Sequence, residues 1–152
     1  MKASKFDYVR AGSVNEICAL LEENGPQAKL IAGGQSLVPM LAMGLTKTEL
    51  LIDVNDVEEL KGITAEKDKL VIGGGTRQYM IEASTEIERV CPMIQQALYW
   101  VGHPQTRNRG TIGGSLVHAD PSAELPLAAL LLDADIIVRG PDGEEAIAAE
   151  DF

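Results

Sequence analysis

Three glycine clusters set the terms on which this chain can fold: Gly33-Gly34, Gly73-Gly74-Gly75 and Gly113-Gly114. A glycine has no Cβ, so its backbone can turn sharply or come within contact distance of another group. The chain carries 15 glycines in 152 residues, above the ~7% that is usual, and they are grouped rather than scattered. Such grouping predicts backbone that approaches something closely.

The runs between the clusters read as alternating helices and short strands. Ser13 and Glu16 have the spacing of a capping box, and Val14, Ile17, Leu20 and Leu21 recur at helical spacing until Gly25-Pro26 stops the run. A short β-like stretch, Ala28 to Ala32, meets Gly33-Gly34 at once. Ser36 is placed to cap a helix over Leu37 to Met43, and Leu50 to Val54 reads as the next strand, a βαβ-like unit with the glycine turn at a strand's carboxyl end. The pattern then changes. Leu60–Thr64 and Leu70–Gly73 flank the polar tip Glu66-Lys67-Asp68-Lys69, a hairpin signal. Thr76 is placed to cap a helix over Arg77 to Ala83, and Pro92 to open one reaching Val101. Gly102 to Gly110 reads as a polar loop, and Thr111 to Gly114 as a strand ending in a glycine turn. Ser122 is placed to cap a helix over Ala123 to Leu132, whose apolar run from Leu125 reads as core. Ile136 to Arg139 reads as a last strand, turned at Gly140-Pro141-Asp142-Gly143. The end at Ala148 to Phe152, directly after that turn, reads as the end of a piece of a longer polypeptide.

Composition excludes several classes. Lys and Arg number 13 against 23 Asp and Glu, a net charge of −10, so the long-range field repels a nucleic-acid backbone. The longest charge-free run, Leu30 to Thr46, falls short of the ~20 apolar residues of a membrane span, and glycines and a proline interrupt it. No apolar signal segment follows the N-terminus, so a soluble, cytoplasmic protein is expected. Cys18 and Cys91 lie far apart with no ligand spacing, and read as small buried hydrophobes in a reducing compartment, with a disulfide as the alternative.

The chemistry is concentrated in two segments. Gly33-Gly34-Gln35-Ser36 and Gly113-Gly114-Ser115 can each line up backbone N–H groups toward an anion, and the first also opens a helix, whose amino end favours phosphate. Neither matches the GxGxxG or GxxxxGK[ST] pattern. On shape alone a plain tight turn and a phosphate cradle both remain open. No nucleophile–base set can be assembled, so no catalytic residue is named. His103 and His118 have no partner at metal-ligand spacing and read as loop hydrogen-bonding residues.

The longer segments around these turns are more specific. Ile31 to Met40 (IAGGQSLVPM) and Arg107 to Leu116 (RNRGTIGGSL), followed by His118-Ala119-Asp120-Pro121, closely resemble the FAD-binding medium subunit of the molybdenum hydroxylases, the group of the carbon monoxide and xanthine dehydrogenases. The resemblance runs in order along essentially the whole chain, from Phe6-Asp7-Tyr8 onward.

It implies an α+β fold, a PCMH-type FAD-binding domain of two small subdomains. Residues 1–56 form a βαβ-like α/β unit, residues 57–152 an incomplete second unit with a mixed or antiparallel sheet and helices, and the family's C-terminal flavoprotein domain is absent. In the family the two glycine turns face each other across the FAD pyrophosphate. Carried over by position, Ala32, Gly33, Gly34, Gln35 and Ser36 form the first clamp and Thr111, Ile112, Gly113, Gly114 and Ser115 the second, with Ile31, Leu37 and Gly110 as further cofactor-binding residues. Gly102, His103, Thr106 and Asn108 lie along the cofactor, Asp120 and Glu124 make polar contacts after the second turn, and Thr76 is a further candidate. The xanthine dehydrogenase branch carries Asp where Glu124 stands. Arg107 and Arg109 read as loop-ordering or partner-facing residues, with a role beside the phosphates as the alternative. Gln35 stands in the turn near which oxidases of the wider superfamily carry a flavin-linking histidine, so FAD is expected to be held non-covalently.

The implied function is that of an oxidoreductase subunit: electrons from a molybdenum cofactor in a large subunit pass through 2Fe-2S clusters in a small subunit to this FAD, and on to an external acceptor. The chain alone is expected to be inactive. Two alternatives stand beside this reading: a cofactor-free truncated module for interaction or assembly, and part of a stand-alone FAD-dependent oxidoreductase.

Overall fold

The computed structural model describes residues 3–67 and 69–152, so the tip of the predicted hairpin at Asp68 lies outside the described residues. The first third of the chain builds a parallel sheet from strands β1 (Asp7–Arg10), β2 (Ala28–Ile31) and β3 (Leu50–Asp53), in the order β1-β3-β2. Parallel neighbours need crossovers, which helices α1 (Val14–Asn24) and α2 (Leu37–Met43) supply. Leu51, Ile52 and Asp53 of the central β3 are all buried, as expected of a strand flanked on both edges. Strand β1 is not among the expected elements: Tyr8 and Val9 sit side by side between Asp7 and Arg10, with no alternation to mark a strand. The Ser13 cap forms, its hydroxyl accepting from Glu16 N at 3.2 Å, while the Glu16 carboxylate reaches one residue past the N-cap and accepts from Gly12 N at 2.8 Å.

Ala11, Ile17, Ala28, Ile52, Val54 and Val57 make the apolar core of this part. A second cluster, Ile81, Ile87, Ile94, Leu98 and Leu125, lies among the helices that follow. These are α3 (Gln78–Glu82), α4 (Thr85–Val90), α5 (Pro92–Trp100), α6 (Pro104–Arg109), α7 (Ile112–His118) and α8 (Glu124–Leu131). Two antiparallel hairpins flank them: β4 (Ile63–Glu66) with β5 (Lys69–Ile72), and β6 (Asp135–Gly140) with β7 (Gly143–Ala148). Ile63, Leu70 and Ile72 of the first hairpin pack on the second cluster. Among the described residues, no helix is long and apolar enough to cross a membrane. Cys18 and Cys91 are both free thiols. The mixed helix and sheet content is the expected α+β class.

Five local expectations are corrected. The polar stretch from Gly102 is not a loop, because Pro104 opens helix α6 and His103 precedes it in extended conformation. Thr111 to Gly114 is not a strand: Thr111 caps α7, and Gly113-Gly114 sit inside its first turn. Thr76 does not cap α3, since its hydroxyl is tied to Gly62 N and Gly62 O, each at 3.0 Å. Ser122 does not cap α8, because both its amide and its hydroxyl donate to Asp120 Oδ1, at 2.9 and 2.7 Å. Ser36 precedes α2 but its side chain makes no capping bond. Helix α4 was absent from the reading, although Ser84 caps it by accepting from Ile87 N at 3.2 Å.

The glycines at the start of α7 are there for packing. A Cβ on Gly113 would lie 2.7 Å from Gly74 O and 2.8 Å from Gly74 Cα, whereas a Cβ on Gly74 would have nothing nearer than Gly113 Cα at 3.7 Å. Gly113→Ala is therefore expected to lower the unfolding free energy by about 1–3 kcal/mol through overpacking, despite alanine's better helix propensity. Gly74→Ala should stay within ~0.5 kcal/mol. Urea unfolding of the two variants checks the asymmetry, and equal effects would contradict it.

Candidate functional site

Strands β1, β2 and β3 run parallel, so their carboxyl ends gather at one edge of the sheet, where ligands of open α/β sheets sit. The chain leaves β2 there through Ala32 and turns at Gly33-Gly34 into α2. Gly34 takes φ +69°, the left-handed region that favours glycine. Gly33 is required for another reason: a Cβ there would run into Arg109 O, and would lie 2.8 Å from Gly110 Cα. Two of the predicted segments thus meet backbone to backbone.

The first segment keeps its donors free. Among the described residues, the amides of Gly33, Gly34, Gln35, Ser36 and Leu37 have no protein acceptor, and no side chain caps α2. The Gln35 side chain folds back, Nε2 donating to Gly33 O at 3.1 Å. Unpaired backbone N–H groups in one short turn are costly unless water or a ligand accepts from them. Their chemistry suits an anion with several oxygens.

The second segment is arranged differently from the expected clamp. The amides of Ile112, Gly113, Gly114 and Ser115 donate to Thr76 O (3.2 Å), Gly74 O (2.8 Å), Thr111 Oγ1 (3.1 Å) and Thr111 O (3.2 Å). All four are spent within the protein. Thr76 and Thr111 are 1% and 2% exposed: Thr76 ties the loop of Gly73-Gly74-Gly75 to α7 through Ile112 N, and Thr111 caps α7.

Between the segments runs a polar network that the sequence reading missed. Asp53, at the end of β3, accepts from the Tyr8 hydroxyl and from Asn55 N (2.8 Å) and Nδ2 (2.5 Å). Asn55 Nδ2 also donates to Ala32 O at 2.9 Å. The Arg77 guanidinium donates to Asn55 Oδ1 at 2.5 Å and to Arg109 O. Burial pushes the Asp53 carboxyl up, but the hydrogen bonds from Tyr8 and Asn55 and the Arg10 charge outweigh it and leave it below the ordinary carboxylate value. Burial, then the nearby Arg109 charge, lowers Arg77 below the usual arginine value. The available signal is Asp53 and Asn55 at the carboxyl end of a predicted strand of the βαβ-like unit, with an arginine just after Gly73-Gly74-Gly75.

The other predicted residues divide. Ile31 ends β2, Leu37 begins α2, and Gly110 is buried with its amide on Thr106 O at 2.7 Å. Gly102, at φ +43°, packs on Thr106. His103, just before α6, and Asn108, in its last turn, are exposed. Arg107 is held by Glu82 at 2.9 Å and by Val101 O at 3.0 Å, a loop-ordering role. Asp120 is engaged with Ser122, whose amide and then hydroxyl hold its carboxyl below the ordinary value. Among the described residues, no hydrogen bond joins Asp120 or Glu124 to the Gly33 turn.

The family model described as "FAD binding domain in molybdopterin dehydrogenase" matches residues 4–152. The chain belongs to that family. It is 44% identical over 152 residues to the 6-hydroxypseudooxynicotine dehydrogenase complex subunit alpha of Paenarthrobacter nicotinovorans, covering 100% of this chain and 51% of that protein. It is 37% identical over 148 residues to the carbon monoxide dehydrogenase medium chain of Hydrogenophaga pseudoflava, covering 97% of this chain and 52% of the relative. Solved structures of carbon monoxide dehydrogenase from Hydrogenophaga pseudoflava and of quinoline 2-oxidoreductase from Pseudomonas putida 86 superpose with TM-scores of 0.97 and 0.97, at 37% and 35% identity. They cover 99% and 100% of this chain, and 52% and 53% of theirs. The chain spans about half the length of the curated relatives it matches. As a member of the FAD-binding family, it has in the Gly33 turn a donor set that fits the cofactor: five unspent amides beside two arginines suit a diphosphate.

The Asp53 network carries a pH signature. A carboxyl whose folded pKa is depressed adds stability that is complete above its unfolded pKa of ~3.9 and is lost as pH falls through the folded value. The unfolding free energy is therefore expected to drop on acidification below about pH 4, with a shallower drop in Asp53→Asn. Denaturant unfolding between pH 2 and 6 measures this; identical slopes would remove the network's claim on Asp53.

Proposed function

We propose that this chain is the FAD-holding part of the medium subunit of a molybdenum-dependent hydroxylase or dehydrogenase. The subunit's place is between a large subunit with the molybdenum cofactor, a small subunit with 2Fe-2S clusters, and an external electron acceptor. The row of unspent amides at Gly33 to Leu37, packed against Arg109-Gly110, is the observation that carries this reading. FAD, when bound, supplies reversible electron storage, and the protein supplies position and electrostatics. The amides of Gly33, Gly34, Gln35 and Ser36 would hold the pyrophosphate, with the Ser36 hydroxyl beside them. Thr111 to Ser115 would serve chiefly as the wall that fixes the first turn, with the Ser115 hydroxyl as its remaining donor. Gly102, His103, Thr106 and Asn108 would border the cofactor, and Asp120 and Glu124 would reach its more distant polar groups. Thr76 would act from beneath, through the glycine cluster it anchors. Residues 1–56 and 57–152 are read as the two subdomains that share the site. With Gln35 in the first turn, attachment is non-covalent.

Titration of the purified protein with FAD, followed by visible absorbance and flavin fluorescence, tests the reading. One flavin is expected to bind per chain, and denaturation should release it intact. Gly34→Val forces a β-branched residue to φ +69° and sets its Cβ 3.0 Å from the Val38 side chain, so affinity should fall by at least about tenfold. A full-length protein that folds yet takes up no FAD, even beside its partner subunits, would contradict the proposal.

A further inference from the structure

We infer that Asn55 and Arg77 act as one positioning unit that aims the Gly33 amide and spaces the two glycine-bearing segments for the FAD diphosphate; this rests on the flavin reading above. The two side chains grip the carbonyls that precede the two glycines in contact. Asn55 Nδ2 donates to Ala32 O at 2.9 Å, the carbonyl before Gly33. Arg77 donates to Arg109 O, the carbonyl before Gly110. Its other nitrogen closes the pair by donating to Asn55 Oδ1 at 2.5 Å. Arg109 O is also the atom that a side chain on Gly33 would strike.

Peptide geometry turns this grip into a statement about the ligand. The Ala32–Gly33 peptide is planar and trans, so its C=O and N–H point in opposite directions. Fixing Ala32 O on Asn55 therefore fixes Gly33 N–H facing away from Asn55, where no protein group accepts from it. Asn55 cannot itself swing, because Asp53 holds its amide and side chain, and the Tyr8 hydroxyl holds Asp53. Arg77 suits its place because a guanidinium presents a rigid planar fork that reaches two acceptors at once. A lysine would carry the same charge without the fork.

That difference gives the test, made on the full-length protein with FAD dissociation constants read by flavin fluorescence well below the unfolding transition. Arg77→Lys keeps the charge and is expected to weaken FAD binding by about tenfold, the scale of one lost net hydrogen bond of the charged type. Asn55→Ala should give a comparable loss. The double variant should be little worse than the weaker-binding single, because the two act through one network. Circular dichroism and the unfolding midpoint of the flavin-free forms separate positioning from general destabilisation: positioning lowers affinity in protein that is fully folded. If Arg77→Lys fails to fold, Asn55→Ala with Asn55→Gln carries the same comparison, and both should lose affinity. Binding within twofold of the parent in Arg77→Lys, or losses that add in the double variant, would overturn the inference while leaving the flavin reading intact. A parent protein that binds no FAD would overturn both.

Discussion

The contact between Gly33 and the Arg109–Gly110 backbone is the constraint on which the rest of the site depends. With no Cβ at Gly33, the turn after β2 can press against Arg109 O, and that approach brings the end of the parallel sheet against the base of α7. The same device recurs one layer further in, where Gly113 rests on Gly74 and donates to its carbonyl. Glycine therefore serves two purposes in one small region. At Gly34 it permits a left-handed backbone; at Gly33 and Gly113 it permits backbone to touch backbone. Ser36, already in helical conformation, does not cap α2, and the amides of the turn stay available for an external acceptor.

The two glycine segments look alike in sequence and do different work. Both combine a glycine pair with a nearby serine at the start of a helix, the first just before α2 and the second within the first turn of α7. The distinction lies in who accepts from their amides, and that is decided by distant residues. Thr111 caps its own helix, and the loop at Gly73 to Thr76 supplies two more acceptors. Ser36 makes no such bond. A cap is a local option that a sequence offers; whether the structure takes it depends on what else reaches that end of the helix.

This is also the measure of what the sequence disclosed. The parallel unit, the first hairpin and helices α1, α2, α5 and α8 were legible because their apolar spacing and punctuation are strong. Strand β1 and helix α4 were not, since four- and six-residue elements carry too little periodicity, and β1 exists because β3 offers it an edge. Helix α6 was hidden by polar composition: its stabilising contacts, such as Arg107 with Glu82, are long-range in sequence. At the site, the glycine segments were legible as motifs. The network of Tyr8, Asp53, Asn55 and Arg77 was not, because its members come from three separate stretches and each alone reads as an ordinary polar residue.

An excess of ten negative charges opposes a doubly negative diphosphate at long range, and the proposed site answers it with local donors. Charges beyond a Debye length, ~8 Å at physiological ionic strength, are largely screened, whereas donors at contact act unscreened. Near the turn the balance is local: Asp53 is engaged by Tyr8 and Asn55 and faces Arg10, while Arg77 lies beneath the turn with no carboxylate bonded to its guanidinium among the described residues. Arg77 spends its hydrogen bonds on a carbonyl and an amide oxygen, neither of which neutralises it. Asp53 lies close enough to attract the Arg77 charge, but it does not bond the guanidinium, so one residue both orders the turn and brings a positive charge beside it.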